Sequence, residues 1–385
     1  MNVPFFRYPH VFAEARGDIE RALVRAAEAG AFIMQEDLRQ FERELAAFCG
    51  VGWAIGVGNA TDGLEFGLRA AGIGPGDEVL LPSHTFVATA SAVVAVGATP
   101  VFVEIGPDHL MDPADLERGV TVRTRAIMPT QLNGRTADMD CIGEVAERHG
   151  LVIVEDSAQA LGSRFRGRMA GTFGVAGVYS FYPAKTLGGL GDGGAVITDD
   201  PEVARVVREL RDHGRNEATG EVVRWGRNSR LDNIQAAVLR VKLSRFNERI
   251  ATRRRLARRY HERLKDVPHL VLPPPPDESP RAAHFDVFQN YEIEAEDRDG
   301  LRAYLAEHGV GTLLQWGGRG VHQFPALEIA QTLPRTEHIL ARAMLLPPSS
   351  CRFTPVTNSD SRLARYTAAC ATSTAVPRRV KCMPS

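Results

Sequence analysis

The chain reads as an α/β protein: a large domain built on a mixed, mostly parallel seven-stranded sheet, followed by a smaller α+β unit. Two observations predict this. Seven short apolar runs, GWAIGV (Gly52–Val57), DEVLLP (Asp77–Pro82), TPVFVEI (Thr99–Ile105), RAIMPT (Arg125–Thr130), LVIVED (Leu151–Asp156), AGVYSF (Ala176–Phe181) and GGAVIT (Gly193–Thr198), are rich in Val and Ile and lack an alternating polar face. Runs of that length and composition suit strands buried on both sides. Helical stretches separate several of them, and a strand–helix alternation packs as layers around a parallel sheet.

The first intervening helix is expected over Asp62–Ala71, after a Thr-Asp start signal. Another is expected over Met139–His149, where apolar residues recur at helical spacing until Gly150 stops it. Leu231–Leu264 reads as one long helix carrying the basic stretch RRRLARR (Arg253–Arg259). That stretch suits either phosphate contact or a solvated helix face, and the second is the commoner origin of such runs. PPPPDESP (Pro273–Pro280) cannot continue a helix. Val287–Gly320 then reads as strand, helix (Arg298–His308) and strand. The expected division is a large domain over 1–245 and a small one over 246–385. The segment 348–385, rich in Ser, Thr, Pro and Arg without amphipathic period, is expected to be loosely attached.

Composition narrows the function. Hydrophobic residues are 44% and charged ones 24%, with a formal net charge of −1, so no overall field draws in nucleic acid or an anionic membrane. The five cysteines share no metal-ligand spacing. MNVPFFRYPHVF lacks the form of a signal peptide, and no apolar run approaches membrane-spanning length, so the expected location is cytoplasmic.

Chemistry concentrates in SFYPAKTLGGLGDGGAVIT (Ser180–Thr198), where a strand end, a lysine and a glycine-rich loop follow one another. Glycines let backbone approach a ligand closely. A lysine kept neutral by desolvation or a neighbouring cation can form a Schiff base, although a lysine beside glycines is more often plain surface. LVIVEDSAQALG (Leu151–Gly162) delivers Asp156 to the carboxyl edge of the sheet, where open α/β sheets bind ligands. A carboxylate there can keep a pyridinium nitrogen protonated, or can simply cap a helix. GVGNATDGL (Gly56–Leu64) is strand, turn and helix start, a ready phosphate site.

Together with GIGPGDEVLLPSHTFVATASAV, GATPVFVEI, ADMD, VEDSAQALGS, GTFG, LRDHG and NSRLDNIQAAVLRVKL, these stretches resemble the DegT/DnrJ/EryC1/StrS family of sugar aminotransferases, in family order from about Pro4 to Pro347. The resemblance implies the aspartate-aminotransferase fold and pyridoxal 5′-phosphate as cofactor. It implies that Lys185 forms the Schiff base and shuttles the proton, while Asp156 pairs with the pyridinium nitrogen. Gln159 would lie near the ring oxygen, and Phe86 would stack on the ring unless it is a core phenylalanine. Ala60, Thr61 and Ser180 would hold the phosphate. Asn228 would reach the phosphate of a neighbouring subunit's cofactor, which requires a homodimer.

The implied substrates are L-glutamate and a nucleotide-linked keto sugar, with a dTDP-4-keto-6-deoxyhexose expected first and amination at C3 as the alternative. A dehydratase or a cofactor-binding regulator on the same fold are the competing readings, and Lys185 argues against the dehydratase. Where the chain departs from the common family pattern, in MPTQLNG (Met128–Gly134) and LLQWGGRGVHQF (Leu313–Phe324), Gln131, Asn133, Trp316, Arg319 and His322 become candidate substrate contacts. Tyr182 and Arg230 join them. Trp316 suits packing between domains equally well, whereas the polar, glycine-rich surroundings of His322 suggest a ligand contact.

Overall fold

The computed structural model describes residues 3–279 and 282–348. The expected loose attachment of 348–385 therefore lies, apart from Pro348, outside the described residues. The chain opens with three helices, α1 (Tyr8–Ala13), α2 (Arg16–Glu28) and α3 (Glu36–Cys49). Strand β1 (Trp53–Val57) then leads into α4 (Ala60–Ala70). Further β–α alternation gives β2 (Glu78–Pro82), α5 (Val87–Ala95), β3 (Thr99–Val103), α6 (Pro113–Gly119), β4 (Thr124–Ile127), α7 (Met139–His149) and β5 (Val152–Asp156). Strands β6 (Ala176–Ser180) and β7 (Gly194–Thr198) complete the large sheet before α8 (Pro201–Arg211).

Its order is β1-β7-β6-β5-β4-β2-β3. The pairs β2–β3, β2–β4, β4–β5 and β5–β6 are parallel. Only β7 runs against its neighbours, antiparallel to both β6 and β1. The seven apolar runs are thus the seven strands. Because six strands point the same way, Val57, Pro82, Ile127, Asp156 and Ser180 finish at one edge of the sheet.

Two hydrophobic layers hold the sheet. On one face α4 buries Leu64, Phe66 and Leu68 against Val79, Val154, Val178 and Val196, with α8 behind it. The helix lies close because two of its sheet-facing positions are glycine. A Cβ at Gly63 would come within 2.9 Å of Val178 Cγ1, and one at Gly67 within 3.2 Å of Val154 Cγ1. On another face α3 sets Leu38, Phe41 and Leu45 against Tyr179, Phe181 and Ile197.

The expected single helix over Leu231–Leu264 is two helices, α9 (Asn233–Leu243) and α10 (Phe246–Leu264), separated by a turn at Ser244–Arg245. No proline or glycine marks that break. Nor is the basic stretch simply a solvated face. Arg254 is buried, donates to the carbonyls of Asp286 and Asp277, and stacks its guanidinium over Phe285 at 4.0 Å. Arg253 Nη1 donates to the carbonyls of Phe288 and Gln289. These arginines fasten the following segment.

That segment holds an antiparallel three-stranded sheet, β8 (Leu270–Val271), β9 (Tyr291–Ala295) and β10 (Ala343–Leu346), in the order β8-β9-β10. Helix α11 (Arg298–Glu307) matches expectation, but the strand expected next is absent from this sheet. Leu313 contributes only one bridge, to Leu345, and the true partner strand comes after α12 (Pro334–Arg342). No described helix is long and apolar enough to cross a membrane.

Candidate active site

Asp156 ends β5, and its carboxylate is held from two sides. Thr89 Oγ1 donates to Oδ2 at 2.6 Å and the Ala158 amide donates to Oδ1 at 3.1 Å. Thr89 is itself braced by Thr85, 2.6 Å away, which accepts from Thr130 at 3.0 Å. Burial pushes the Asp156 carboxyl up, while Thr89, Ala158 and the nearby charge of Lys185 pull it back. So placed, the carboxylate lies ready to accept a proton-bearing cationic donor. It caps no helix.

Lys185 sits in the turn after β6, its amide donating to the Tyr182 carbonyl at 2.8 Å. Gln289 clamps this turn. Its Oε1 accepts from the Thr186 amide at 2.6 Å and from the Thr186 hydroxyl, and its Nε2 donates to the Ala184 carbonyl at 3.0 Å. The glycine-rich loop is pinned in turn by Lys242, which donates to the Gly188 carbonyl, and by Gln235 at Leu190. Burial lowers the pKa of Lys185 to about 8, opposed only by the attraction of Asp156. A sizeable neutral fraction at physiological pH is what an imine-forming lysine needs.

Phe86 is 53% exposed, which excludes the core reading. It lies between Thr85 and α5, with its ring 6.4 Å from that of Trp316. Ala60 and Thr61 start α4, and the Asn59 side chain accepts from the Asp62 amide. Ser180 is opposite Gly194 in the sheet, and a Cβ on Gly194 would meet the Ala60 amide nitrogen at 2.8 Å. A glycine therefore brings Ser180 and the α4 N-terminus together at one corner of the site. Gln159 Oε1 accepts from the Asn133 amide at 3.0 Å and from Asn290 Nδ2 at 3.2 Å.

The other candidates divide. Tyr182 is 50% exposed beside Lys185, and Arg319 is also exposed. Asn228 is exposed on the segment bridged to Asp212, to which Arg230 donates at 3.1 Å. Trp316 packs against His84 with ring centroids 5.5 Å apart and an edge-to-face tilt, and it lies across from Phe86.

Three expectations are corrected. Gln131 is fully buried beneath β5, its Nε2 donating to Glu155 at 2.8 Å and its Oε1 accepting from the Ala137 amide at 2.7 Å. It supports the sheet and has no group free for a sugar. Asn133 is engaged through both of its side-chain polar atoms, donating to Glu292 at 2.8 Å and accepting from Asn290 and Gln315 at 2.9 Å each. His322 is a buried histidine after all, with Nδ1 2.6 Å from Ser83 Oγ and Nε2 3.1 Å from Glu337. Gly320 permits that contact by bringing the loop against Ser83.

Sequence reading missed Thr89, Gln289, His84 and Glu292. Only Thr89 left a local signal, three residues beyond Phe86 on the helix that follows.

A buried carboxylate at the sheet edge, a lysine of lowered pKa, a helix N-terminus beside a serine and a half-exposed aromatic ring suit pyridoxal phosphate on every side. The fold and the site define an aspartate-aminotransferase-type enzyme dependent on pyridoxal 5′-phosphate. The chain belongs to the DegT/DnrJ/EryC1/StrS aminotransferase family, whose model matches residues 14–354. It is 42% identical to the dTDP-3-amino-3,4,6-trideoxy-alpha-D-glucose transaminase of Streptomyces venezuelae, over 90% of this chain and 91% of that one. It is 45% identical to the erythromycin biosynthesis sensory transduction protein EryC1 of Saccharopolyspora erythraea, over 85% and 87%. The crystal structure of S. venezuelae DesV in complex with a ketimine intermediate superposes with a TM-score of 0.87 at 40% identity, covering 96% of this chain and 97% of DesV.

Proposed function

We propose that the chain transfers an amino group from L-glutamate to a keto sugar carried on a nucleotide, most directly a dTDP-linked 3-keto deoxysugar. The observation that carries this is the likeness, along nine tenths of both chains, to a transaminase named for a dTDP-3-amino sugar. Relatives at 39% and 37% identity are named for amination of UDP-linked 3-dehydro and 3-oxo sugars, which favours C3 over the C4 position expected first.

When bound, pyridoxal phosphate supplies the electron sink and carries the amino group between the two substrates. The protein's residues do the rest. Lys185 would hold the cofactor and, once released from it, would serve as the base that moves the proton. Asp156, aligned by Thr89, keeps the ring nitrogen protonated. Phe86 would lie against the ring face, and the amide nitrogen of Gln159 would donate to the ring oxygen. The α4 amides at Ala60 and Thr61, with Ser180, take the phosphate. Asn228, exposed in one protomer, completes the phosphate site of a second copy, so the working unit is a homodimer. Tyr182, Arg230, Trp316 and Arg319 remain the substrate-facing candidates.

A regulatory reading rests on relatives named as a sensory transduction protein and a pleiotropic regulatory protein, at 45% and 40% identity. One experiment decides. The cofactor-loaded protein is incubated with L-glutamate and dTDP-, UDP- and GDP-linked 3-keto and 4-keto sugars, and products are read by mass and NMR. A dTDP-3-amino sugar is expected. A glutamate-driven absorbance change with no aminated sugar in any arm supports the regulatory reading instead.

A further inference from the structure

Beside the site lies a buried polar cluster that the proposed chemistry does not use. Its centre is Glu292 on β9, 5% exposed. Glu292 Oε2 accepts from Asn133 Nδ2 at 2.8 Å and meets His109 Nδ1 at 2.8 Å. Glu292 Oε1 accepts from Gln315 Nε2 at 3.0 Å and stands 3.5 Å from His84 Nε2. One carboxylate therefore gathers four loops, those after β2, β3 and β4 and the one carrying Trp316.

The backbones so gathered are strained. His109 has φ 65°, Asn133 φ 56° and Trp316 φ 50°, all in the left-handed region that side chains avoid. Such conformations persist where the surroundings over-determine them, and they collect at functional sites. The cluster is also firmly charged. Burial opposes the imidazolium of His109, but its bonds to Glu292 and Glu294 outweigh that and raise its pKa to about 10. Burial likewise opposes the charge on Glu292, yet His84 and His109 hold its carboxyl well below the usual range.

What the cluster fixes faces the site. Asn133 donates its amide to Gln159, Trp316 follows Gln315 and faces Phe86, and His84 lies two residues before Phe86 with its ring against Trp316. We propose that Glu292 is a positioning residue that sets the Trp316–Gln159 wall of the active site and thereby governs how the acceptor sugar is held. This rests on the nucleotide-sugar reading for its substrate and on geometry alone for the wall.

Glu292→Gln keeps the size but turns one acceptor into a donor facing Asn133 and His109, or Gln315. Gln315→Met cuts the bonds from the Trp316 loop to Glu292 and Asn133 and leaves Glu292 paired with His109. The test uses cofactor-loaded full-length protein, with Trp53 and Trp225 replaced by Phe so that Trp316 reports alone. For Glu292→Gln the KM for the keto sugar should rise about tenfold with kcat held within about threefold. The glutamate half-reaction, followed by absorbance, should stay within about twofold, and acrylamide should quench Trp316 more readily with and without cofactor. Gln315→Met should shift both readouts the same way, and it decides alone if Glu292→Gln does not fold.

Wild-type KM or wild-type quenching in a folded variant overturns the proposal. So does a parallel loss of both half-reactions with a lowered Tm, which marks general loosening. If the wild-type protein aminates no keto sugar, the substrate reading fails, and the quenching arm still judges the wall.

Discussion

The lowered pKa of Lys185 makes a quantitative prediction about how the apoprotein captures its cofactor. Only the neutral amine attacks a carbonyl. With a pKa of about 8 rather than 10.5, about 9% of Lys185 is neutral at pH 7, against about 0.03% for an ordinary lysine. Capture of pyridoxal phosphate, followed by absorbance and normalised to Nα-acetyl-lysine under the same conditions, should therefore be faster by about 300-fold at pH 7. The apoprotein rate should climb about tenfold per pH unit up to a bend near pH 8, whereas the model amine climbs on toward 10.5.

Asp156→Asn removes the one attraction holding this pKa up, so the bend should move below pH 8. The stability sign is the reverse of a salt bridge. Burying the ammonium costs at most about 3 kcal/mol, since the side chain is only half-buried. That penalty is full below pH 8 and fades as pH rises from 8 to the unfolded value near 10.5. A capture rate that rises without a bend through pH 9.5 would refute the reasoning, and with it the desolvated lysine.

Other outcomes follow from the same geometry. Lys185→Ala should lower kcat by at least about 10²-fold, the usual share of a positioned proton-transfer group, and borohydride should then trap no cofactor on the protein. Phe86→Ala removes a ring that is half in solvent, so the melting temperature should barely change. Cofactor should bind more weakly by about 1 kcal/mol, measured by equilibrium dialysis. Glu155→Ala strands the amides of Gly171, Phe173 and Gly174 and the Gln131 side chain, all bonded to that buried carboxylate. It should cost at least about 3 kcal/mol in urea unfolding. Asn228→Ala should weaken cofactor binding, and mixing it with Lys185→Ala should restore one complete site per mixed dimer, visible as recovered turnover.

The strands and the cofactor chemistry were legible because both are local. A buried parallel strand is a short apolar run, and Ser180, Lys185 and the glycine loop fall within one stretch of chain. What the sequence hid depends on side-chain direction or on distant partners. Gln131 follows the end of β4, where the two-residue alternation of a strand no longer says which way a side chain points. The glycines around His322 suggest an open loop, whereas Gly320 instead allows close packing on Ser83. The Glu292 cluster joins residues 183 positions apart, and no periodicity can announce such a meeting. The break between α9 and α10 carries no helix-stopping residue, and the late strand β10 returns to β9 only after two helices, α11 and α12, and the long loop between them.

The edge strand β1 has a consequence for biosynthesis. Among the described strands it pairs with β7, Val57 adds a single bridge to Arg230, and the Gly52 amide is bound by Asp199, 147 residues further along the chain. At about 5–20 residues per second, a ribosome takes on the order of 10 s or more to deliver that partner. During that interval the apolar segment WAIGV has no sheet to join, although α3, already synthesised, can cover one side of it. Within the large sheet, the strand that leads into the phosphate corner is thus the first made and among the last paired, so this sheet should depend on chaperones most before Thr198 leaves the exit tunnel.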